Sequence, residues 1–298
     1  VRLMPGVPCP LVGREPGVEA HLVIHAPDAW AAVALRGPIG AGEAYAHGQW
    51  SSPDPVLVVR WMLQNEALLA SLEGGLARLV RPAFTAFHRR RRNTTSGARR
   101  NIEEHYDLGD DLFALFLDPT LTYSGAYYPP GVHDLESAQR AKLDLLIQRL
   151  GVGPGDHVLE IGSGWGALAV RLAERTGCRV TTTTISRRQH AAVQARVRAS
   201  GVEDRVTVPE RDYRALEGRF SRIVSVEMIE AVGADHYDAF AQVLARHLEP
   251  GGRAWLQAIT IQDHLFERAR DGVDFIQRYI FPGSDIPCVS ALSASARR

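Results

Sequence analysis

Cysteine is nearly absent. Cys9, Cys178 and Cys288 are the only three among 298 residues, an odd number, far apart, that makes neither a disulfide framework nor a zinc knuckle. Net charge is absent as well: 34 basic residues balance 34 acidic ones, so no global field selects nucleic acid. No apolar run is long enough to span a bilayer. The proline-broken start VRLMPGVPCPLVG also lacks the apolar stretch of a signal peptide. Internal repeats and low-complexity segments are missing. His21 and His25 are four apart in a strand-like stretch with no further ligands beside them, so no metal is expected. What these absences leave is a reduced, cytoplasmic globular protein, long enough for one large or two modest domains.

Two halves read differently. Between Val18 and Ala86 stand two short apolar stretches, AHLVIHA and WAAVALRG, both read as strands. A glycine cluster, GPIGAGEAYAHGQW, follows, then apolar helical stretches from Val56 onward. A basic run, Arg89 to Arg92, and the linker-like NTTSGARRN close this half. The run, with Arg99 and Arg100, suits either anionic phospholipid headgroups or a solvated helix end. Boundaries are expected at 1–95 and 96–298. The second half alternates strand and helix patterns, which predicts an α/β fold with a parallel sheet covered on both faces. Strands are expected at His157–Ile161, Arg179–Thr184, Val206–Glu210, Arg222–Val226 and Ala254–Ile259. Helices are expected at Leu168–Thr176, Arg188–Ser200 and Asp235–Leu248.

The stretch VLEIGSGWGA, Val158 to Ala167, reads as a buried strand, a tight turn and a helix start. Gly162, Gly164 and Gly166 let a ligand touch the main chain. Such a turn can cradle a pyrophosphate or an adenosyl group. Glu160, just before it, suits a ligand bearing an ammonium group. A nicotinamide enzyme would want an acid at the end of the next strand to hold a ribose. That strand ends VTTTTISRRQ, offering Thr184, Ser186 and Gln189 but no carboxylate. Asp212 and Tyr213, in ERDYR, stand where an adenine could be bonded and stacked. Trp165 either walls the ligand or packs a helix. Glu227 and Glu230, three apart, suit a capping pair at a helix start, with a functional reading favoured for Glu230.

VLEIGSGWG, TISRRQ, RDYRAL, SVEMIEAVG and DFIQRYIFPGS, with NIEEHYDLGDDLFALFLDPTLTYSGAYY before them, resemble the cyclopropane-fatty-acyl-phospholipid synthases and related mycolic acid and fatty acid methyltransferases. The similarity runs over roughly residues 18 to 287. It implies a doubly wound, Rossmann-like class I methyltransferase sheet dependent on S-adenosylmethionine (SAM), preceded by a small N-terminal α+β lipid-binding domain. The implied reaction methylates the cis double bond of an unsaturated fatty acyl chain of a phospholipid, and a bicarbonate-assisted deprotonation closes a cyclopropane. Carried over by motif, Tyr123, Ser124, Gly162 and Gly164, with Ser163 and Gly166 in the same turn, meet the methionine end. Thr184 and Gln189, flanking Ser186, hold the ribose; Asp212 and Tyr213 hold the adenine. Glu230 and Ile259 match bicarbonate contacts, and His105 and Tyr106 line the active-site cap. The implied partners are the acyl chain and an anionic membrane surface touched peripherally from the cytoplasm, with a homodimer as the assembly to test.

Three departures stand out. Gly125 replaces the family's cysteine in TYSCAY, and Gln257 takes a place often held by histidine. Glutamine donates a hydrogen bond but cannot titrate near neutrality. Family members also continue well beyond the IFPG motif, through a tract with an active-site tyrosine and a closing hairpin. The tail CVSALSASARR shows neither strand nor helix periodicity, so a C-terminally truncated sheet with the Ala254–Ile259 strand as an unpaired edge is expected. The alternatives are an enzyme leaving a methyl or methylene branch and a truncated, inactive SAM- or lipid-binding remnant. A nicotinamide dehydrogenase is the most distant.

Overall fold

The computed structural model describes residues 17–65, 84, 86, 91, 93, 94, 97, 98, 100–102 and 110–297. The chain divides into two compact units, Val1–Arg90 with Asp271–Ile280, and Arg91–Arg270 with Phe281–Arg298. In the first unit, β1 (Val23–Ile24) pairs antiparallel with β2 (Trp50–Ser51), flanking α1 (Asp28–Ala46) and followed by α2 (Pro55–Gln64). WAAVALRG is therefore helix, not strand. Its alanines are good helix formers, and Ala29 and Ala32 bury one face. The helix kinks at Gly37–Pro38 rather than ending there. The short helix Phe275–Tyr279 closes on α1 through Glu43, which accepts hydrogen bonds from Arg36 and Tyr279 and pairs with Arg278.

The second unit holds a five-stranded, all-parallel sheet in the order β5-β4-β3-β6-β7. Its elements are α3 (Asp110–Phe116), α4 (Leu135–Leu150), β3 (His157–Ile161), α5 (Ala167–Thr176), β4 (Arg179–Thr183), α6 (Arg187–Ala199), β5 (Val206–Thr207), β6 (Phe220–Val226), α7 (Tyr237–His247) and β7 (Leu248–Gln257). Successive strand residues face opposite sides. Val158, Val180 and Val224 accordingly join one apolar cluster with Leu143, Leu146 and Leu172, while Leu159, Ile161 and Ile223 join another with Phe240 and Ile229. Both faces of the sheet are covered, as a parallel sheet requires. Strand order reverses between β3 and β6, the point at which such sheets bind ligands beyond their carboxyl ends.

Strand ends differ from the sequence reading for local reasons. β5 stops at Thr207 because Pro209 has no N–H for the ladder; only an isolated bridge, Thr184 to Glu210, continues it. β7 starts earlier than expected, at Leu248. The EPGG stretch bulges out between the Phe220–Leu248 and Arg222–Arg253 pairs, and the strand is the edge of the sheet.

The tail corrects a larger expectation. Val289–Ala296 is a helix. Ala291 and Leu292 pack on the cluster that contains Tyr237 and Phe240, and Ser295 Oγ donates to Asp238 Oδ1 at 2.7 Å. Alanine, serine and leucine need no strong amphipathic pattern to form two helical turns once one face has a surface to cover. Leu292→Ala is expected to destabilise this unit by roughly 1–2 kcal/mol, less than a fully buried leucine would. Val289→Ala, at a position 60% exposed, should be close to neutral. Paired thermal or urea unfolding of the two variants checks this.

Candidate cofactor and active site

The turn after β3 is built as its glycines suggest. Gly162, Gly164 and Gly166 have φ of 93°, 48° and 85°, conformations that side chains resist. The N–H groups of Gly162 and Ser163 both donate to Thr183 O at 3.1 Å, which ties the turn to the end of β4. A Cβ at Gly162 would come within 3.0 Å of Met228, just past β6, whereas one at Gly164 would meet nothing within 4 Å. The turn thus touches the β6 end and leaves open space over Gly164.

Glu160 is buried beside Val158 in β3, and its Oε2 has no hydrogen-bond partner. Burial pushes its carboxyl up to about 8. The Thr182 hydroxyl, opposite it across β3–β4, opposes that shift, but it is itself unpartnered and outside hydrogen-bonding geometry. A buried acceptor of this kind is costly unless a donor arrives. Beyond β4, Ser186 caps α6 by accepting from Gln189 N. Thr184 Oγ1 donates to Gln189 Oε1 at 2.8 Å and accepts from Ser186 N at 3.1 Å. All three are buried. Asp212 caps a short 3₁₀ turn and pairs with Arg214 through both oxygens, at 2.8 and 2.6 Å. Tyr213 stands edge-on to Phe240, and burial raises its phenol to about 12.

On the other side of the turn, Trp165 is buried and its ring centroid lies 5.0 Å from Phe113 and 6.4 Å from Tyr123. Tyr123 also stacks near Phe281 at 6.3 Å. Trp165 therefore serves an aromatic cluster at the ligand end of the sheet. The Tyr123–Gly125 segment is clamped by α4: Gln139 Nε2 donates to Thr122 O and Ser124 O at 3.1 and 2.7 Å, and Lys142 Nζ to Ser124 Oγ at 2.5 Å. Burial lowers Lys142 to about 8, against the pull of Glu227 and Asp118.

Glu227 follows β6 with φ of 46°, one of two non-glycine residues with positive φ among those described. Its Oε1 accepts from Gly125 N at 2.9 Å and from Gln257 Nε2 at 2.8 Å, and its own N–H donates to Gln257 O. It caps no helix; Met228 precedes the 3₁₀ turn Ile229–Ala231 without a side-chain cap. Glu230 is buried, accepts from Ile259 N through Oε1 at 2.5 Å, and leaves Oε2 unpartnered. Burial, helped by the Glu227 charge, pushes Glu230 up to about 7.

The structure thus gathers Tyr123, Ser124, Trp165, the glycine turn, Glu160, Thr184, Ser186, Gln189, Glu230, Gln257 and Ile259 on segments at the carboxyl ends of the strands. Asp212 and Tyr213 follow the Glu210 bridge beyond β5. His105, Tyr106 and most of the basic run lie outside the described residues. Sequence reasoning passed over Gln139 and Lys142, and it took Glu227 for a capping residue where the side chain instead joins Gly125 to Gln257. The first two had a signal: polar residues three apart on a helix that otherwise buries Ala138, Leu143 and Leu146. No helix among the described residues is long and apolar enough to cross a membrane.

Comparison with known proteins places the chain among relatives of the same fold. Residues 93–298 match the family model for mycolic acid cyclopropane synthetase. The chain is 40% identical over 282 residues to the tuberculostearic acid methyltransferase UfaA1 of Mycobacterium tuberculosis, covering 91% of this chain and 65% of that one. It is 36% identical over 280 residues to the cyclopropane-fatty-acyl-phospholipid synthase of Escherichia coli, covering 93% and 69%. The chain spans about two thirds of the length of these relatives. Among solved structures, the cyclopropane synthase MmaA2 of M. tuberculosis superposes with a TM-score of 0.61 at 31% identity, over 67% of this chain and 73% of that one. The cyclopropane synthase CmaA1, solved with SAH and CTAB, gives 0.61 at 34% over the same shares. With the doubly wound sheet, its glycine turn and the buried acid before it, these matches place the chain in the mycolic acid cyclopropane synthetase family of SAM-dependent methyltransferases.

Proposed function

We propose that this chain transfers a methyl or methylene group from SAM to the double bond of an unsaturated fatty acyl chain, with a phospholipid as its carrier. The observation that carries the reading is the pairing of an open glycine turn with Glu160, whose buried Oε2 lacks a donor. A SAM ammonium supplies such a donor, and the space over Gly164 admits a ligand against the backbone. Thr184 and Gln189 would hold the ribose, Asp212 and Tyr213 the adenine, and Tyr123 and Ser124 the methionine end. When bound, SAM supplies an electrophilic methyl group carried on a sulfonium.

An alkene needs no base to attack such a methyl group. The protein's task is alignment, exclusion of water and removal of one proton afterwards. The aromatic cluster of Phe113, Phe116, Tyr123 and Trp165 offers apolar walls and π faces suited to an electron-deficient carbon. Bicarbonate, which the resemblance implies, would need N–H donors at the strand ends. Those of Gly125, Gln257 and Ile259 already donate to the chain's own carboxylates.

The 40% identity to a tuberculostearic acid methyltransferase favours, as a second reading, a methyl- or methylene-branched product in place of a ring. Contact with an anionic membrane from the cytoplasmic side belongs to the same proposal, as does a lipid-binding role for the first unit. Val56, Val59 and Leu63, exposed on α2, support it as an apolar stripe able to enter a headgroup layer. A homodimer is proposed from the resemblance alone.

Gly164→Val has room for its Cβ, which meets nothing within 4 Å, but strains a φ of 48°, so thermal unfolding must first show a folded variant. That variant should bind S-adenosylhomocysteine at least about tenfold more weakly, a loss of ~1.4 kcal/mol. Calorimetric titration measures it, and unchanged affinity would remove the turn from the site.

Glu160 generates a pH prediction. Its carboxyl sits at about 8 when folded, against an ordinary value of 4.5. The ligand-free fold therefore holds a proton that the unfolded chain releases, and stability falls as pH rises between those values. Glu160→Gln should flatten that slope. An arriving ammonium should ionise Glu160, so SAM binding at pH 7 should release protons in the parent and fewer in Glu160→Gln. Calorimetry in buffers of different ionisation enthalpy reads the count.

A further inference from the structure

We propose that Glu227 is the proton acceptor built into this site, its carboxylate filling the anion position that Gly125 and Gln257 create. The inference rests on the lipid-alkylation reading and goes beyond it.

Glu227 is held from three sides at a backbone cost. At φ 46° it occupies a conformation that a non-glycine residue adopts only when its surroundings impose it. Two donors, the Gly125 N–H and the Gln257 amide, converge on Oε1. No donor among the described residues reaches Oε2, leaving that oxygen to receive a proton. The lack of a side chain at position 125 belongs to the same design: a Cβ there would lie 3.3 Å from Glu227 Oε1. Two of the three departures from the resembled family, Gly125 and Gln257, thus bond one oxygen of one carboxylate.

The neighbours divide the labour. Glu230, more than nine-tenths buried with Oε2 unpartnered, has its carboxyl pushed above the ordinary value by burial and the Glu227 charge acting together. Paired carboxyls in unequal environments commonly take separate acid and base roles. Glu227 also lies one residue from Met228, the side chain nearest Gly162 in the turn, on the ligand side of the sheet.

The step balances. The alkene electron pair forms a bond to the incoming methyl carbon, and the carbon–sulfur pair stays on sulfur. The adjacent acyl carbon is left cationic. A C–H bond then breaks. If it is on a carbon next to the cation, its electrons form a new C=C; if it is on the transferred methyl, they bond that carbon to the cationic one and close the ring. Either way the proton goes to Glu227 Oε2.

The test uses Glu227→Gln and Glu227→Gly with vesicles of dioleoylphosphatidylglycerol, products being read by mass spectrometry. Both variants should hold S-adenosylhomocysteine with affinity near the parent's and lose product formation by about a hundredfold or more, the scale of a lost general base. Glu227→Gly should bind formate or ¹³C-bicarbonate, seen by NMR, where the parent does not, and formate should restore part of its turnover. Full turnover in Glu227→Gln, or no gain of anion binding in Glu227→Gly, overturns the proposal. A parent that binds S-adenosylhomocysteine but never alters the lipid sinks the alkylation reading instead, and the anion-binding arm still decides whether Glu227 fills an anion position.

Discussion

Strand β3 pairs with β4 on one side and β6 on the other, and the chemistry of the second unit depends on that placement. A central parallel strand is buried on both faces, so its backbone groups are spent in ladders and its side chains in apolar layers. Polar groups can then collect only where the strands end. At that end the connections after β3 and β6 leave in opposite directions, opening a crevice. The glycine turn leaves from one lip and Glu227 from the other, with Met228 against Gly162 between them. A chain that broke the β3–β6 pairing would lose both lips together.

Within that crevice the structure accepts several unfavourable groups. Glu160 Oε2, Gln139 Oε1 and Glu230 Oε2 are buried acceptors with no partner. Each unsatisfied group of this kind costs about 1–3 kcal/mol, and Glu227 adds backbone strain. The apolar clusters on the two sheet faces supply the stability that tolerates them. Groups so costly to a ligand-free fold are the ones a bound ligand or a reacting proton would relieve.

How much of this was readable in the sequence follows from how local each feature is. β3 matches its expected bounds, and the turn and α5 follow closely, because a buried apolar run followed by three alternate glycines has few other conformations. WAAVALRG misled because alternating apolar and small residues also suit an alanine-rich helix. The C-terminal helix was hidden by its weak amphipathicity; its packing partner, α7, lies some fifty residues upstream, as the Ser295–Asp238 bond shows. Glu227 could be read only as a neighbour of Glu230. Its real partners are 102 and 30 residues away, and nothing local in SVEMIEAVG announces a positive φ.

That distance explains why the three residues are best understood as one unit. A glycine at 125 leaves Glu227 Oε1 room, since a Cβ there would lie 3.3 Å away and push it by a few tenths of an ångström, and the donor at 257 holds that oxygen in place. A histidine at 257 would offer one ring N–H whose presence depends on tautomer and charge. The glutamine amide donates at every pH, which suits a partner that must stay a carboxylate until a proton arrives. Conversely, a glycine at 227 would relieve the backbone but leave the Gly125 and Gln257 donors facing each other with no acceptor between them. Each of these residues is unremarkable alone. Together they convert the end of β6 from a site that would have to recruit an anion into one that carries its own.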